Sequence, residues 1–550
     1  MRNVFNRLIR TKLLILCALL GGCSPAYAAD PPANSVNLKL DFSKSKGLFD
    51  YVGTDNIPND TFQNLKNIDF RRFGNLSSRL GHLHIGSFNT PNGTYHGKNF
   101  LSVFVSTTGF KYFISVINRR PEYTRADSPG FPGNPFDPLA GVPNFNAPFD
   151  GINWNGTFYF TGVTDSTGNK VIETAAGTTL QMFEVAAIPN GAFMQAHLDV
   201  LLVAGSTISP LRLFYSEADA PEIFPAANTL DLTGIKEADE ITGLGPTLLG
   251  NLPIYTKNTT RNLSGTVFPS TGTGGNINIR VVSDNIGAVH HRTIKNRNNR
   301  QLFYSKGPGQ TQPGIYSFNG ISIEERTKAI QNFFKNNVGN YDIDSSSSCP
   351  NAYVYNDKYC LNVSSKNGLH NYYTICIDEN DVPEIYEASM ENGGVNALDM
   401  VTVYEGNIYG IAGTDSPNPG TGNRVYKLFN TTVDDGNPIR WASKTKDYDM
   451  GDKSRTKTAN RAYIVHQTTN TTFTLRANYD FGRSSSVWTI NSTSSYKTSN
   501  IETLTISSSS YLTKLTFPQT KFNWINFESS GTGFTAIDSI DFYAQPEPLR

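Results

Sequence analysis

Long apolar runs are missing from this chain of 550 residues. No stretch of about 18 consecutive apolar residues occurs, so the sequence predicts no membrane-spanning helix. Helical periodicity is also scarce. Its clearest instance is the segment 324–335, where Ala329, Ile330, Phe333 and Phe334 fall on one face after an acidic first turn. This spacing predicts one short amphipathic helix in a chain that otherwise has little helix.

Net charge is absent, because 47 Lys and Arg residues balance 47 Asp and Glu residues. A protein that wraps nucleic acid needs a basic surface, so we expect no sequence-specific binding to nucleic acid. Only five cysteines occur, and the three outside the N-terminal leader exclude a framework of several disulfides. We expect Cys360 and Cys376 on neighbouring strands of a hairpin, offset by one position and close without needing to be bonded.

Catalytic motifs are lacking too. There is no Gly-x-Ser-x-Gly elbow, phosphate-binding loop or His-Glu-x-x-His, so we expect no enzyme and no cofactor. His82 and His84 would share one face of a strand as a two-ligand metal corner, whereas His290 and His291 would point to opposite faces. No third ligand follows, so surface histidines and no metal site are favoured. The segment 434–436, Asp-Asp-Gly, could hold calcium or form a plain turn, and the turn is favoured.

Short alternating strands and turn residues are what the chain does contain. Asn319-Gly320 separates two short alternating segments and predicts a tight hairpin. Similar hairpins are predicted at 155–160, 201–215, 353–361 and 401–410. The later ones recur at intervals of 39 and 49 residues, which match the about 40 to 50 residues of a four-stranded propeller blade.

The predicted fold is therefore all-β, with a β-propeller of five to seven blades followed by a C-terminal β-sandwich. The amino-acid composition changes near Gly451, after which the chain is rich in Ser and Thr. Strands are predicted there at 462–465, 472–475, 503–506, 512–517 and 537–543. We divide the chain into a leader at 1–29, a propeller at 30–450 and a sandwich at 451–550.

The N-terminus has the features of a secretory signal peptide. A basic stretch with Arg2, Arg7, Arg10 and Lys12 precedes the apolar segment 13–20. Two processing routes stay open: Leu20-Gly21-Gly22-Cys23 is similar to a bacterial lipobox, and Ala26-Tyr27-Ala28 fits ordinary signal peptidase. The first route makes Cys23 a candidate lipidation site. A third interpretation is a basic and apolar tail, or a start codon placed too far upstream.

One basic segment is the candidate contact site. Arg292, Lys295, Arg297 and Arg300, with Lys306 beyond them, stand among asparagines between predicted hairpins. Four or five cations in a loop could contact phosphates or an acidic partner. The alternative is a solvated loop that keeps a neutral protein soluble.

Several short sequence motifs, taken in their order over roughly residues 65–465, resemble those of the β-propeller structural proteins of tailed bacteriophages. The nearest families are the packaged-DNA stabilisation (plug) proteins and then the tail-nozzle proteins of short-tailed phages. These motifs are Val203-Ala204-Gly205, 211–217, 221–225, 239–244, 252–255, 263–265, 282–289, 302–306 and 314–320. These motifs form the strands and turns of propeller blades, so the resemblance identifies no functional residue in this sequence.

The resemblance implies a non-catalytic structural component of a virion neck or tail. Several copies would surround the portal channel, contact adaptor, portal or tail proteins, and retain packaged DNA by shape. The leader peptide favours an alternative, an exported periplasmic or outer-membrane lipoprotein whose propeller binds a surface ligand. A third interpretation is a carbohydrate-acting enzyme on the same scaffold, which would need facing carboxylates in a deep pocket.

Overall fold

The computed structural model shows a chain whose regular structure is mainly antiparallel strands, which confirms the all-β prediction. It describes residues 35–42, 45–50, 57–58, 60–70, 75–87, 100–117, 120–126, 137–138, 150–161, 168–173, 180–185, 188–234, 239–270, 273–339, 350–366, 371–389, 398–412, 424–434, 436–468, 472–491, 501–505 and 510–548. The predicted leader, with Cys23, lies outside the described residues. Among those described, no helix is long and apolar enough to cross a membrane.

In the described part of the chain, five strands precede the first repeated sheet. They are β1 (Val36–Asp41), β2 (Phe62–Lys66), β3 (Ile68–Asp69), β4 (Leu76–Ser78) and β5 (Gly81–Ser87). None of them pairs with its successor except β3 with β4. The other partners of these strands come from the last third of the chain.

Six four-stranded antiparallel sheets follow, each made of four consecutive strands. Sheet 1 contains β6 (Phe100–Val105), β7 (Lys111–Ile117), β8 (Arg120–Arg125) and β9 (Asp137–Pro138). Sheet 2 contains β10 (Gly151–Trp154), β11 (Thr157–Phe160), β12 (Gly168–Glu173) and β13 (Leu180–Val185). Sheet 3 contains β14 (Phe193–His197), β15 (Val200–Ala204), β16 (Arg212–Tyr215) and β17 (Thr229–Asp231).

The next three sheets repeat this pattern. Sheet 4 contains β18 (Ile241–Leu244), β19 (Leu252–Thr256), β20 (Thr260–Ser264) and β21 (Asn278–Ser283). Sheet 5 contains β22 (Lys295–Arg297), β23 (Arg300–Ser305), β24 (Gly314–Phe318) and β25 (Ile323–Glu325). Sheet 6 contains β26 (Asn351–Tyr355), β27 (Lys358–Ser364), β28 (Asn371–Ile377) and β29 (Pro383–Ser389).

A seventh four-stranded sheet is completed by the N-terminal strand β5. Its other strands are β30 (Leu398–Tyr404), β31 (Asn407–Ala412) and β32 (Arg424–Thr431), and β5 pairs with β32 at the outer edge. First strands of successive sheets lie side by side, with a 3₁₀ turn at His291–Thr293 beside β18 just before β22. The first strand of sheet 7, β30, lies beside β6 of sheet 1.

The predicted hairpins are confirmed, but the tight turn expected at Asn319-Gly320 is wrong, because Phe318 pairs with Ile323 across a four-residue connection. Asn155-Gly156 joins β10 to β11, Asn356-Asp357 joins β26 to β27, and the 319–322 segment joins β24 to β25. Asn155 and Gly156 have φ angles of 46° and 78°, and Asn356 and Asp357 have 48° and 59°. Positive φ at both central residues gives the turn whose twist matches the paired strands, and Asn, Asp and Gly tolerate it best.

The predicted helix is present but shorter than expected. Helix α1 spans Gln331–Asn337 and follows a 3₁₀ turn at Lys328–Ile330. Glu324 and Glu325, expected in its first turn, instead belong to β25 because they pair with Ser317 and Tyr316 of β24. The apolar face is real: Ile330 and Phe334 are buried in the core.

Eleven strands complete the chain: β33 (Val433–Asp434), β34 (Asn437–Pro438), β35 (Arg440–Thr445), β36 (Lys457–Thr468), β37 (Thr472–Tyr479), β38 (Ser484–Asn491), β39 (Ile501–Thr505), β40 (Tyr511–Thr516), β41 (Lys521–Phe522), β42 (Ile525–Thr532) and β43 (Thr535–Pro546). The strands predicted after Gly451 overlap β36, β37, β39, β40 and β43, although position 506 lies outside the described residues.

Apart from the β33–β34 hairpin, these strands form two larger sheets with the N-terminal strands. An eight-stranded sheet runs β3-β4-β43-β36-β40-β39, with β1 on β43 and β41 on β36. A five-stranded sheet runs β2-β35-β42-β37-β38. We call this pair of sheets the two-sheet unit.

The two-sheet unit encloses one apolar core that continues into sheets 5 and 6. Phe527 of β42 and Phe542 of β43 bring their ring centroids to 5.5 Å, which joins the two large sheets. The sequence division assigned the segment 36–78 to the propeller, whereas β1, β2 and β4 pair with strands after residue 439, and β3 joins them through β4. Pairing between such distant segments leaves no mark in local alternation, so the sequence division did not include it.

Candidate functional site: a cleft between sheet 6 and strand β3

A cleft of ≈ 390 Å³ lies where sheet 6 meets β3 and β32. Sheet 6 supplies most of its wall, from the β26–β27 turn and the strands that follow. Its lining residues are Asp69, Leu80, Tyr355, Asn356, Lys358, Cys360, Cys376, Tyr386 and Phe429. The cleft is thus assembled from segments that are about 360 residues apart at the extremes.

Two carboxylates share one ammonium group at this cleft. Lys358 Nζ donates to Glu384 Oε2 at 2.6 Å and to Asp69 Oδ1 at 3.2 Å. Tyr386 donates its hydroxyl to the same Glu384 oxygen at 2.7 Å. The Glu384 side chain is only 2% exposed, whereas those of Asp69 and Lys358 are 16% and 15% exposed. Asp69 and Lys358 therefore keep some access to solvent, whereas Glu384 is buried and accepts a hydrogen bond from Lys358.

Burial and mutual attraction compete in the electrostatics of this triad, and burial prevails at Glu384. It raises the pKa of Glu384 to about 7, with repulsion from Asp69 in the same direction and attraction by Lys358 opposing it. Burial also opposes the charge of Lys358, but its attraction to Glu384 and Asp69 outweighs burial and raises the lysine pKa. Near neutral pH the triad therefore carries a net charge between zero and minus one.

An irregularity in β32 places an aromatic ring beside the triad. Phe429 has a φ of 52°, in the left-handed region, where the pairing of β32 with β5 shifts register between Lys427 and Thr431. Its ring lies 5.7 Å from that of Tyr386 and 5.3 Å from that of His82. Bulges re-aim side chains and concentrate beside functional sites, and a bulky residue with positive φ stores strain.

The cysteines in the wall of the cleft are bonded. Cys360 and Cys376 lie directly opposite each other on β27 and β28, with Cα atoms 4.0 Å apart, and form a disulfide. The prediction of neighbouring strands is confirmed, but the predicted offset of one position is wrong. The register was extrapolated from a turn centred near Asn367-Gly368, and residues 367–370 lie outside the described residues.

The basic segment does not form one exposed loop. Residues 295–305 pair as the β22–β23 hairpin. Arg292 is buried in the 3₁₀ turn before it, Lys295 and Arg297 are half-buried, and Arg300 is exposed. Arg297 donates from Nη1 to the carbonyl of Ile377 in sheet 6 at 2.8 Å. Lys306, after the hairpin, is half-buried.

Two of the four histidines are not the surface residues that the sequence favoured. His82 and His290 are buried, and burial lowers the pKa of His82 to about 4 and that of His290 to about 3. His291 Nε2 lies 2.8 Å from Asp150 Oδ2, while its Nδ1 accepts the backbone N–H of Leu244. No group of three metal-ligating side chains occurs among the described residues.

Asp434 serves a structural role in the described chain. Arg79 forms a fork on its carboxylate, with Nη1 to Oδ1 at 2.9 Å and a second bond from Nη2 to Oδ2. The backbone N–H of His82 also donates to Asp434 Oδ1. Asp434 ends β33, which pairs antiparallel with β34, and Asp435 of the predicted turn lies outside the described residues.

The sequence analysis missed Asp69, Lys358 and Glu384. A usable signal was present for Glu384, because this carboxylate stands directly before the apolar pair Ile385-Tyr386 in a strand. Such residues are almost never buried unless paired. The partners Asp69 and Lys358 have no sequence spacing that links them to it.

No family model matches the chain, and no curated protein matches it. Solved structures give weak similarities. The extracellular domain of a protein described as a hybrid two-component system from B. thetaiotaomicron is 9% identical, with a TM-score of 0.35, over 63% of this chain and 39% of that domain. The chain thus spans less than half the length of that domain.

Two enzymes are also similar over most of their length. An exo-beta-1,3-galactanase from Phanerochaete chrysosporium is 10% identical, with a TM-score of 0.24, over 85% of this chain and 99% of that one. The GH32 beta-fructofuranosidase of Bombyx mori is 10% identical, with a TM-score of 0.19, over 87% and 95%. At such TM-scores these similarities carry no argument about function.

Proposed function

We propose that this chain is an exported ligand-binding protein in which seven four-stranded sheets form a seven-bladed β-propeller joined to a β-sandwich. The side-by-side first strands and the place of β30 beside β6 support a circular order of blades. Completion of sheet 7 by β5 supports a closure that ties the N-terminal side of the propeller to its C-terminal side.

The disulfide supports export. Disulfides persist in oxidising compartments such as the periplasm and the cell surface, and they are rare in the cytoplasm, where thiols stay reduced. Cys360 and Cys376 are both buried and bonded. The virion component implied by the phage resemblance would assemble in the cytoplasm, so we prefer the exported protein, and the virion role stays a prediction.

The cleft is the observation that carries the binding proposal. Its lining carries one carboxylate, one ammonium and one amide group, which are mixed donors and acceptors with little net charge, beside the rings of Tyr355 and Phe429. A hydroxyl group both donates and accepts, so a neutral, hydroxyl-rich ligand of the size of a mono- or disaccharide matches this lining best. We propose binding without catalysis, because one ammonium group holds both carboxylates.

Affinity measurements on a matched pair of variants test this proposal. The probes are neutral mono- and disaccharides, with sugar acids and sugar phosphates as the charged arm, titrated into the purified protein by calorimetry. Asn356→Gly removes an amide that lines the cleft at a backbone φ of 48°, which glycine adopts freely. Asn298→Gly makes the same change at a φ of 46° in the β22–β23 turn, away from the cleft.

We expect a neutral sugar to bind and Asn356→Gly to weaken it about fivefold, the value of one hydrogen bond near 1 kcal/mol. Asn298→Gly should bind like the parent. The proposal fails if no neutral sugar binds, if only charged sugars bind, or if both variants lose the same affinity.

A further inference from the structure

An exposed pair of aromatic rings lies on the two-sheet unit, in segments separate from the cleft. Phe481 is 58% exposed, and Trp524 is half-exposed. Their ring centroids are 5.4 Å apart with an angle of 39° between the planes. Lys453 Nζ lies 5.3 Å from the centroid of the Trp524 ring. We call these three residues the aromatic platform.

The backbone that displays Phe481 is strained. Asp480, Phe481 and Gly482 have consecutive φ angles of 48°, 61° and 87°. The left-handed conformation costs about 1–2 kcal/mol for a residue with a Cβ, and a bulky residue there is an outlier. A solvent-exposed phenylalanine gains little burial to offset that cost. Such strain, when the surroundings enforce it, is a feature of binding and catalytic sites.

Hydrogen bonds made by Asp480 hold the backbone in this strained conformation. Asp480 Oδ1 accepts the backbone N–H of Asn523 at 2.8 Å and that of Trp524 at 3.1 Å. The Asp480 backbone N–H in turn donates to the carbonyl of Trp524 at 2.9 Å. One aspartate therefore fixes both segments that bear the rings, so the aromatic platform is rigid before any ligand arrives, which lowers the entropy cost of binding.

The rim of the aromatic platform is polar. Lys453, which lies over the Trp524 ring, is exposed, and so are Arg483 and Ser484, which closely follow Phe481 in the chain. The indole N–H of Trp524 donates to no group within the part of the chain that the structure describes. An apolar ring face with donors at its edge suits a pyranose ring, whose C–H face meets the negative face of an aromatic ring while its hydroxyls reach the rim. The rings form a small apolar island among polar groups, unlike the broad patch of a lipid or protein contact.

We propose that the aromatic platform binds the exposed face of a neutral polysaccharide chain. This site needs no cavity, and it is independent of the ligand proposed for the cleft. Phe481 and Trp524 supply the stacking surface, Lys453 supplies a donor, and Asp480 is a positioning residue that holds the two ring-bearing segments.

Two glycine variants, one at the aromatic platform and one as its control, test this proposal. Phe481→Gly deletes the ring and relieves the backbone, so the variant should fold and unfold at the same temperature as the parent or higher. Leu249→Gly is the control, because Leu249 is also exposed, at 64%, with a φ of 50°, and lies in the turn between β18 and β19. Both variants lose an exposed apolar side chain at a left-handed position.

The assay is retention of the purified protein by insoluble cellulose, chitin and β-1,3-glucan, with phosphatidylglycerol vesicles as the lipid arm. We expect at least one polysaccharide to retain the parent and Leu249→Gly alike. Phe481→Gly should bind that polysaccharide about tenfold more weakly. The proposal is overturned if none of the three polysaccharides binds, if Phe481→Gly binds as well as the parent, or if only vesicles retain the protein through Phe481.

Discussion

Replacing Glu384 with glutamine should remove a defined part of the pH dependence of stability. Glu384 is enclosed by Lys358, Tyr386 and the backbone N–H of Phe70. Burial raises its pKa from 4.5 to about 7. Between these two values the folded state binds more protons at this carboxyl than the unfolded state does, so the free energy of unfolding falls as pH rises through the window.

The magnitude follows from the size of the shift. Each pKa unit corresponds to about 1.4 kcal/mol, so full ionisation of Glu384 costs the folded protein about 3 kcal/mol between acid and weakly alkaline pH. Glu384→Gln cannot ionise and keeps the shape of the side chain. Relative to the parent, the variant should therefore gain about 3 kcal/mol of stability as pH rises from about 4.5 to 8.

Urea unfolding at five pH values across this window measures the difference directly. Other carboxylates that burial shifts upward, such as Asp50, are present in both proteins and cancel in the comparison. Glu387→Gln serves as the control, because Glu387 pairs with Lys66 nearby and its side chain is 20% exposed. A difference between parent and Glu384→Gln that stays constant with pH, or that changes in the opposite direction, would refute the electrostatic description of the cleft.

Three further predictions concern the scaffold. Replacing Cys360 and Cys376 together by alanine should lower the free energy of unfolding by about 3 kcal/mol, the value for a closed loop of this length; reductant should destabilise the parent and leave the double variant unchanged. Arg79→Met should cost about 3–5 kcal/mol, because it leaves the buried Asp434 carboxylate without its partner, and adding Asp434→Leu should restore part of the loss in a double-mutant cycle. Gly81→Ala would drive a Cβ into the backbone carbonyl before Asp434, so faster hydrogen exchange in β5 and β32 is expected, and unchanged exchange would contradict the packing described.

Local features of the fold were accessible from the sequence because they depend on neighbours along the chain. The Asn356-Asp357 and Asn155-Gly156 turns, and the strands beside them, follow from turn chemistry and alternation. The short helix was also predicted, but its first turn was not, because pairing with β24 overrides helix preference at Glu324.

The candidate site could not be predicted, because tertiary structure assembles it. Asp69, Lys358 and Glu384 meet only after β3 has joined the large sheet and sheet 6 has folded beside it. The basic segment illustrates the converse. Its cations are close in sequence, yet Arg292 is buried in the 3₁₀ turn, whereas Arg300 is exposed at the start of β23.

Hydrogen–deuterium exchange with and without sugar tests the central claim, ligand binding in the cleft, most directly. The probe is the neutral mono- or disaccharide that binds most tightly by calorimetry. We predict slower exchange at the β26–β27 turn around Asn356 and in β32 around Phe429, with no change at the matching β22–β23 turn around Asn298. Equal exchange at all three places, or protection only outside sheet 6 and β32, would contradict the proposed site.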